Sequence, residues 1–255
     1  MAALLLPVAS AGVVGGHRAE IADWPFIVAL REHKSLLCTG SVIAPTKVLT
    51  AAHCVRQRTH RKLRVVTGRA RVRHNGGGEV IRVSDVRRYP HYRHNERHDL
   101  AVLTLARPTI VTPIALPAPT EVGQLIRAGE FVRVAGYGDR RPLTTEPSRV
   151  GLLAETRERL RPSKRCRQVY GRAFKARTMI CSLGLRFSRK PIGATTCFGD
   201  SGGPMVADTP AGPRLVGVTS FADEIGNIAC GSRLAPSVYA RVTGGLAFID
   251  ENLGP

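Results

Sequence analysis

The sequence predicts an all-β fold, a barrel or a sandwich, with its strands in two groups. Apolar residues recur mostly at every second position, the spacing of a strand with one buried face. Glycine, proline and polar residues interrupt these stretches at short intervals, as turns do. The proline-rich segment 108–119, PTIVTPIALPAP, divides the strands into two groups and indicates a connector between two β units.

Five stretches carry the strand pattern most clearly, and all are rich in valine or leucine. In chain order they are KLRVVTG, DLAVLTL, EFVRVAGYG, RLVGVTSF and SVYARV. Two short helices are predicted beside them. The first covers PSKRCRQVYG, with Ser163 as its N-cap. The second is the tail GLAFIDENLG, where Leu246, Ile249 and Leu253 recur at helical spacing.

Size and charge bound the function. The 255 residues, 43% of them hydrophobic, suit one large domain or two small ones sharing a core. The 38 Lys and Arg against 19 Asp and Glu give a net charge of +19, which predicts weak, salt-sensitive binding to anionic polymers. The basic residues are scattered and no zinc-finger spacing occurs, so we expect no specific nucleic-acid binding. No apolar run is long enough to span a membrane, and we expect a monomer.

The cysteines and the N-terminus indicate export. Six widely spaced cysteines without a Cys-x-x-Cys pair favour a disulfide-bonded, extracellular protein over a zinc ribbon; buried thiols in a cytosolic protein are the alternative. Residues 1–12 are predicted to be a signal or pro segment, because Ala9-Ser10-Ala11 resembles a secretory cleavage site. The usual positive residues are missing from it. Either the signal is truncated or the assigned start codon is late.

The stretch GDSGGP at 199–204 raises the question whether Ser201 is a nucleophile. Its Gly-x-Ser-x-Gly core also occurs in the nucleophile elbow of α/β-hydrolases. A serine nucleophile needs a histidine base and an orienting carboxylate. All eight histidines precede Ser201, which excludes the hydrolase order of serine, acid, histidine. The acids that precede His53 do not follow strands, which disfavours a subtilisin-like order.

The order histidine, acid, serine remains. In VLTAAHC, an apolar strand runs into a turn that carries His53, beside Cys54, and Cys38 is near enough in sequence to clamp that turn. Asp99 stands at the start of DLAVLTL, whose apolar residues would anchor it in the core. A carboxylate held there can bond an imidazole N–H and fix the histidine tautomer.

Seven stretches in one order carry a resemblance to a known family. They are VVGG (13–16), TAAHC (50–54), DLAVLTL (99–105), VAGYG (134–138), CFGDSGGP (197–204), VGVTSF (216–221) and VYARV (238–242). In this order the chain resembles the chymotrypsin-fold, trypsin-like serine endopeptidases. The resemblance implies two six-stranded antiparallel barrels, over about 13–120 and 121–243, an active site between them, and a helix over about 244–253.

The resemblance also implies roles for individual residues. His53 would be the base, Asp99 its orienter and Ser201 the nucleophile that forms an acyl-enzyme. The backbone N–H groups of Gly199 and Ser201 would form the oxyanion hole. The implied activation pair is the amine of Val13, freed by a cut before VVGG, and the buried carboxylate of Asp200. The implied disulfides are Cys38–Cys54, Cys166–Cys181 and Cys197–Cys230.

We expect neither a metal nor a cofactor. His91, His94 and His98 lie in a polar loop that precedes Asp99, which gives little support to a zinc site. The family's calcium loop would need carboxylates near residues 69–79. The chain has Arg69 at the start of this segment and only Glu79 at its end.

The resemblance places six residues around the primary specificity pocket: Thr195, Thr196, Ser220, Phe221, Ala222 and Ser237. Thr195 is neutral where an aspartate would select Arg or Lys, and Ala222 and Ser237 stand where glycine is usual. We therefore predict small or medium uncharged residues before the scissile bond. Asp223 and Glu224, in the insertion DEIGNIA, are a competing source of attraction for a basic residue.

The sequence thus predicts a secreted serine endopeptidase that acts on polypeptides. The alternative is a non-catalytic cationic binding protein on a protease scaffold, because a fold does not fix a function. The presence of His53, Asp99 and Ser201 together favours the enzyme.

Overall fold

The computed structural model describes most of the chain after residue 12. The described ranges are 13–73, 76–90, 92, 98–139, 150–186, 193–222 and 230–254. The predicted signal or pro segment lies outside these ranges. So do His91 and His94 of the rejected zinc site, and Asp223 and Glu224 of the insertion.

The first barrel is closed by six antiparallel strands in the order β2-β3-β4-β7-β6-β5. It follows a two-residue strand, β1 (His17–Arg18), and its strands are β2 (Ile27–Glu32), β3 (Ser35–Ala44), β4 (Lys47–Thr50), β5 (Leu63–Thr67), β6 (Glu79–Arg88) and β7 (Ala101–Leu105). In β6, which was not among the predicted strands, the alternation typical of a half-buried strand is visible: Ile81 and Val83 are buried, whereas Arg82 and Ser84 are exposed.

The second barrel contains six more antiparallel strands. These are β8 (Phe131–Gly136), β9 (Ala154–Leu160), β10 (Met179–Gly184), β11 (Pro204–Ala207), β12 (Arg214–Phe221) and β13 (Ser237–Arg241). They follow the order β9-β10-β13-β12-β11-β8, and the β8–β9 pairing closes the ring. Strand β1 pairs with β9. The first strand of the chain therefore belongs to the sheet of the second barrel, although it precedes all strands of the first barrel in sequence. The expected fold of two six-stranded barrels is confirmed.

Short helices complete the structure. They are α1 (Ala52–Val55), α2 (Val122–Leu125), α3 (Ser163–Tyr170) and α4 (Leu246–Leu253). The prediction of Ser163 as an N-cap is wrong. Pro162 holds the N-cap position, because its carbonyl accepts the first helical bonds from the backbone N–H groups of Arg165 and Cys166, at 2.8 and 3.3 Å. None of the described helices is long and apolar enough to cross a membrane.

Three disulfides tie loops to the barrels. The bonded pairs are Cys38–Cys54, Cys166–Cys181 and Cys197–Cys230, the pairs that the resemblance implied. Cys38–Cys54 joins β3 to α1, and Cys197–Cys230 joins the segment just before Ser201 to the segment that follows β12.

Candidate active site

His53 and Asp99 meet at the edge of the first barrel. Strand β4 ends at Thr50, and the single turn α1 then presents His53. The His53 Nδ1 atom lies 2.7 Å from Asp99 Oδ2, and the His53 backbone N–H donates to Asp99 Oδ1 at 2.9 Å. Because Nδ1 donates to the carboxylate, the neutral imidazole has its lone pair on Nε2, the nitrogen that a base would use.

Asp99 is completely buried, and a residue of the second barrel completes its surroundings. The Ser220 hydroxyl donates to Asp99 Oδ2 at 2.6 Å. The carboxylate therefore accepts three hydrogen bonds, two of them from His53 and one across the barrel interface. A carboxylate held in this way keeps the imidazole orientation fixed.

Cysteine sulfurs lie close to His53 without forming a metal site. Cys38 and Cys54 place their Sγ atoms within 4.8 Å of the imidazole. Both sulfurs belong to one disulfide and offer no thiolate to a metal. Their role here is to hold the turn that carries His53, as the sequence predicted.

The Ser201 loop enters the same region from the second barrel. Its geometry depends on two glycines with positive φ, Gly199 at 92° and Gly202 at 80°. A Cβ atom on Gly202 would lie 2.1 Å from the Thr50 hydroxyl, and one on Gly199 would lie 2.9 Å from Cα of Gly138. No other residue fits either position without moving the backbone.

Thr39 of the first barrel orients this loop. Its backbone N–H donates to the Ser201 carbonyl at 2.8 Å, and its hydroxyl donates to the Gly199 carbonyl at 2.9 Å. Both carbonyls are thus occupied on one side of the loop. Within the described ranges, the N–H groups of Gly199 and Ser201 have no protein acceptor. Two unused donors beside a serine hydroxyl are what an oxyanion hole requires.

The arrangement of His53, Asp99 and Ser201 on two antiparallel barrels agrees with what comparison finds. The family model described as Trypsin matches residues 13–249. The chain belongs to the trypsin family. It is a serine endopeptidase, a hydrolase of peptide bonds.

Relatives of the protease come from bacteria and animals. A protein described as trypsin from Saccharopolyspora erythraea is 33% identical over 90% of this chain and 93% of its own length. Phenoloxidase-activating factor 3 of Holotrichia diomphalia is 29% identical over 94% of this chain and 72% of its own. Coagulation factor XII of Sus scrofa is 34% identical, over 94% of this chain and 39% of its own.

Asp200 lies beneath the Ser201 loop and is completely buried. Its two carboxylate oxygens accept the backbone N–H groups of Gly138, at 2.7 Å, and Cys197, at 2.8 Å. Burial raises the pKa of Asp200 to about 7. A carboxylate in this position calls for a cation, because an unpaired buried charge is costly.

The segment that begins at Val13 packs beside this loop. Val13 and Val14 are buried, and Val14 forms an antiparallel bridge with Thr195. The Thr195 backbone N–H donates to the Val14 carbonyl at 2.9 Å. The structure therefore brings the predicted activation segment into the core near the Ser201 loop.

A cavity of about 180 Å³ opens beside Ser201, at the position of the predicted specificity pocket. It is lined by Thr196, Cys197, Phe198, Ser201, Thr219, Ser220, Phe221, Ala222 and Cys230. Four of the six predicted pocket residues are in this lining. The other two, Thr195 and Ser237, are buried and lie outside it.

Thr195 and Ser237 lie outside the lining because their hydroxyls bond to buried groups. The two Oγ atoms are 2.7 Å apart, and the Thr195 hydroxyl donates to Glu158 Oε1 at 2.5 Å. Glu158 is in β9 and is completely buried.

Sequence reasoning missed Glu158. The signal that could have found it is the alternation of β9, in which Thr156, Glu158 and Leu160 point inward while Arg157 and Arg159 are exposed. Its other oxygen, Oε2, accepts hydrogen bonds from the Ser182 and Tyr239 hydroxyls, the latter at 2.8 Å.

Proposed function

We propose that the protease is a secreted endopeptidase that cleaves polypeptides through His53, Asp99 and Ser201. The observation that supports this best is the 2.7 Å contact of His53 Nδ1 with the buried Asp99. The serine loop with two unused N–H donors is bonded to Thr39 of the same barrel. The relative described as trypsin agrees with this class.

In the proposed reaction, His53 Nε2 takes the proton of the Ser201 hydroxyl as its oxygen attacks the substrate carbonyl. Asp99 stabilises the imidazolium that forms. The N–H groups of Gly199 and Ser201 donate to the developing oxyanion, and each such donor lowers the barrier by about 3 kcal/mol. His53 then gives its proton to the leaving amine, which produces the acyl-enzyme. A water activated by His53 hydrolyses it.

Activation would depend on the amine of Val13. A cut before Val13 would create an ammonium group that pairs with Asp200 and stabilises the Ser201 loop. A signal peptidase cut after Ala11 would leave Gly12 attached to Val13, so the chain would be one residue too long. We propose that a further trimming step or an atypical cut exposes Val13. N-terminal sequencing of the active secreted enzyme tests this, and full activity of a species that begins at Met1 would contradict it.

The proposed substrate preference follows from the pocket walls. The side chain of Ala222 lines the cavity at a position where family members usually have glycine. Its methyl group narrows the pocket and hinders aromatic residues, which supports the predicted preference for small or medium residues. Ser237, the other such position, lies outside the lining. The neutral Thr195 supports uncharged residues only if no other charge acts on the pocket.

Labelling of Ser201 by an organophosphonate tests the catalytic proposal. The full chain is expressed, allowed to mature, and its N-terminus is sequenced before labelling. We expect stoichiometric labelling of the enzyme that begins at Val13 and none of Ser201→Ala. Absence of labelling in correctly processed protein would favour the non-catalytic binding protein instead.

A basic groove supports the second proposed property, weak binding to anionic polymers. The groove has a volume of about 670 Å³, and Arg167, Arg172, Lys175 and Arg177 line it together with the apolar Phe174. Such a cluster attracts polyanions by a force that salt screens.

Retention on a heparin column measures this binding. We expect the salt needed for elution to fall in a variant with serine at the exposed Arg167, Arg172 and Arg177. Serine at three exposed arginines outside the groove, Arg61, Arg82 and Arg127, is the matched control. Equal losses from both variants would assign the binding to net charge alone, and retention that salt does not change would contradict the proposal.

A further inference from the structure

Three charged side chains are buried among the described residues, and all three are acids: Asp99, Glu158 and Asp200. Asp99 faces the imidazole of His53, which becomes a cation during the proposed reaction. Asp200 lies where the ammonium group of a processed Val13 would serve as its partner. Glu158 has no comparable partner in the described part of the chain, since no ion pair found there includes it.

The Glu158 carboxylate is surrounded by neutral donors. Its oxygens accept hydrogen bonds from the hydroxyls of Ser182, Thr195 and Tyr239 and from the backbone N–H of Thr196. An ionised carboxylate can accept all four of these bonds, whereas a protonated one would present its own hydrogen to one of the donors. These donors suit the ionised form, but burial raises the pKa of Glu158, because no cation in the described part of the chain offsets the lost solvation. A cation bound nearby would favour ionisation.

The hydrogen bonds around Glu158 have a fixed direction. Because Thr195 gives its only hydroxyl hydrogen to Glu158, the Ser237 hydroxyl must donate to Thr195. In the same way Tyr239 donates to Glu158, so the Thr196 hydroxyl, 3.4 Å away, is the donor toward Tyr239. The hydrogens of both chains point toward Glu158. Their outer members, Ser237 and Thr196, keep only oxygen lone pairs to offer a further group.

This polarity reaches the specificity pocket. Thr196 is part of the cavity lining, and Thr195 and Ser237 are the two predicted pocket residues that lie outside it. Thr196 therefore offers the cavity a hydrogen-bond acceptor, and the hydroxyl of Tyr239 links it to the Glu158 carboxylate behind. Because Glu158 is completely buried, water screens its negative charge from a bound substrate less than it would screen a surface charge.

We propose that Glu158 is a specificity-determining residue of the protease and that it selects a lysine or arginine side chain before the scissile bond. The inference rests on the proposed function, because it concerns the substrate of the Ser201 site. The substrate would supply the cation that the chain itself does not provide for Glu158, and it would supply it only in the bound complex. Glu158 acts here through Tyr239 and Thr196 and is a positioning residue.

This proposal keeps the narrow pocket and changes the expected polarity. An unbranched lysine side chain fits a narrow cavity that excludes aromatic rings. Its compact ammonium group has three donors, which suit single hydroxyl oxygens. The planar guanidinium of arginine binds best to a directly facing carboxylate. Glu158 is not in the cavity lining and is linked to it through the hydroxyls of Tyr239 and Thr196. We therefore expect lysine to be preferred over arginine.

Cleavage of matched chromogenic peptides with Ala, Val, Leu, Phe, Lys or Arg before the scissile bond tests the proposal. We expect kcat/KM for the lysine peptide to exceed that of each uncharged peptide by about tenfold or more. In Glu158→Gln the ratio of lysine to alanine cleavage should fall by about tenfold or more. Glu155→Gln, on the same strand and the other face, is the control and should leave the ratio unchanged.

Several outcomes would overturn the inference. These are a wild-type enzyme that prefers alanine or valine, and a Glu158→Gln enzyme with an unchanged ratio. If Glu158→Gln does not fold, Thr196→Val replaces it, since it removes the lining hydroxyl that Tyr239 links to Glu158, and an unchanged ratio in that variant counts equally against the proposal. Active sites are counted by organophosphonate labelling in every sample. Wild-type protein that neither labels nor cleaves contradicts the proposed function, whereas labelled protein with the wrong preference contradicts only the role of Glu158.

Discussion

The two barrels have the same number of strands, but their interiors are filled differently. In the first barrel the buried strand residues are apolar or carry small hydroxyls, and no charged side chain of its described strands is buried. The second barrel encloses Glu158, ringed by Ser182, Thr195 and Tyr239, inside the same kind of closed sheet. The acid on the side of the first barrel, Asp99, lies at its edge, where an imidazole and Ser220 meet it.

The difference shows how a repeated architecture takes on two tasks. An apolar barrel is a rigid support, and it holds the turn of His53 and the bonds from Thr39 to the Ser201 loop. A buried polar cluster is costly unless each member is satisfied, so its presence in the second barrel calls for a reason beyond packing. Recognition of a substrate in the neighbouring pocket is such a reason.

The largest expected effect is on kcat, which should depend on Asp99 but not on Glu158. Asp99→Asn should lower kcat by about 10⁴-fold, because the amide favours the wrong tautomer of His53. Glu158→Gln should leave kcat for an alanine peptide within about threefold, because Glu158 does not touch the reacting groups. Steady-state kinetics on one peptide measures both. A comparable loss of kcat in both variants would remove the distinction between the two acids.

The second prediction concerns Asp200 and pH. Burial raises the pKa of this carboxyl from the ordinary aspartate value of 3.8 to about 7 in the folded chain that still carries residues 1–12. An acid whose folded pKa is raised binds its proton more tightly when folded, so this form should lose stability as pH rises from about 4 to about 7. By linkage the loss is at most about 4 kcal/mol. The form that begins at Val13 should lack it, because its ammonium group stabilises the ionised acid.

Urea unfolding of the two forms at pH 4, 5.5 and 7 checks this. The stability difference in favour of the processed form should grow with pH. The same comparison in Glu158→Gln removes the charge that also raises the pKa of Asp200. Parallel pH profiles for the two forms would mean that Val13 and Asp200 do not pair.

The third prediction compares the two interiors directly. Leu103→Ala, in the apolar core of the first barrel, should lower the free energy of unfolding by about 2–5 kcal/mol through the cavity it leaves. Glu158→Leu adds apolar surface to the second barrel, yet it should also destabilise, by about 2–4 kcal/mol, because four donors lose their acceptor. Urea unfolding at pH 7 measures both. A stabilised Glu158→Leu would show that the polar cluster is dispensable for folding.

The smallest expected effect is at the contact between the barrels. Ser220→Ala removes the 2.6 Å hydrogen bond to Asp99 and leaves both bonds from His53 in place. Loss of one bond to a charged group should lower kcat/KM by about tenfold. Ser84→Ala, an exposed strand residue far from the site in sequence, is the control. An effect as large as that of Asp99→Asn would mean that Ser220 does more than hold the carboxylate.

The sequence by itself determined the fold class and the order of the candidate catalytic residues. Strand alternation is a local property with a period of two, so β8, predicted in EFVRVAGYG, could be recognised without knowledge of its partners. The absence of histidines after Ser201 left one order of histidine, acid and serine. Glycines at 199 and 202 follow from backbone conformations that other residues rarely adopt.

Only the tertiary structure decided which residues form the buried polar cluster behind the pocket lining. Thr195, Ser237 and Glu158 are far apart in the chain and meet because β9 and β13 both pair with β10. In sequence, Glu158 stands in ETRERL among charges that suggest an exposed strand edge. Alternation along β9 shows which residues point into the barrel. The hydroxyl groups that satisfy a buried carboxylate come from other strands, which alternation does not reveal. Closure of the barrel brings those hydroxyls together, and with them the polarity of the pocket.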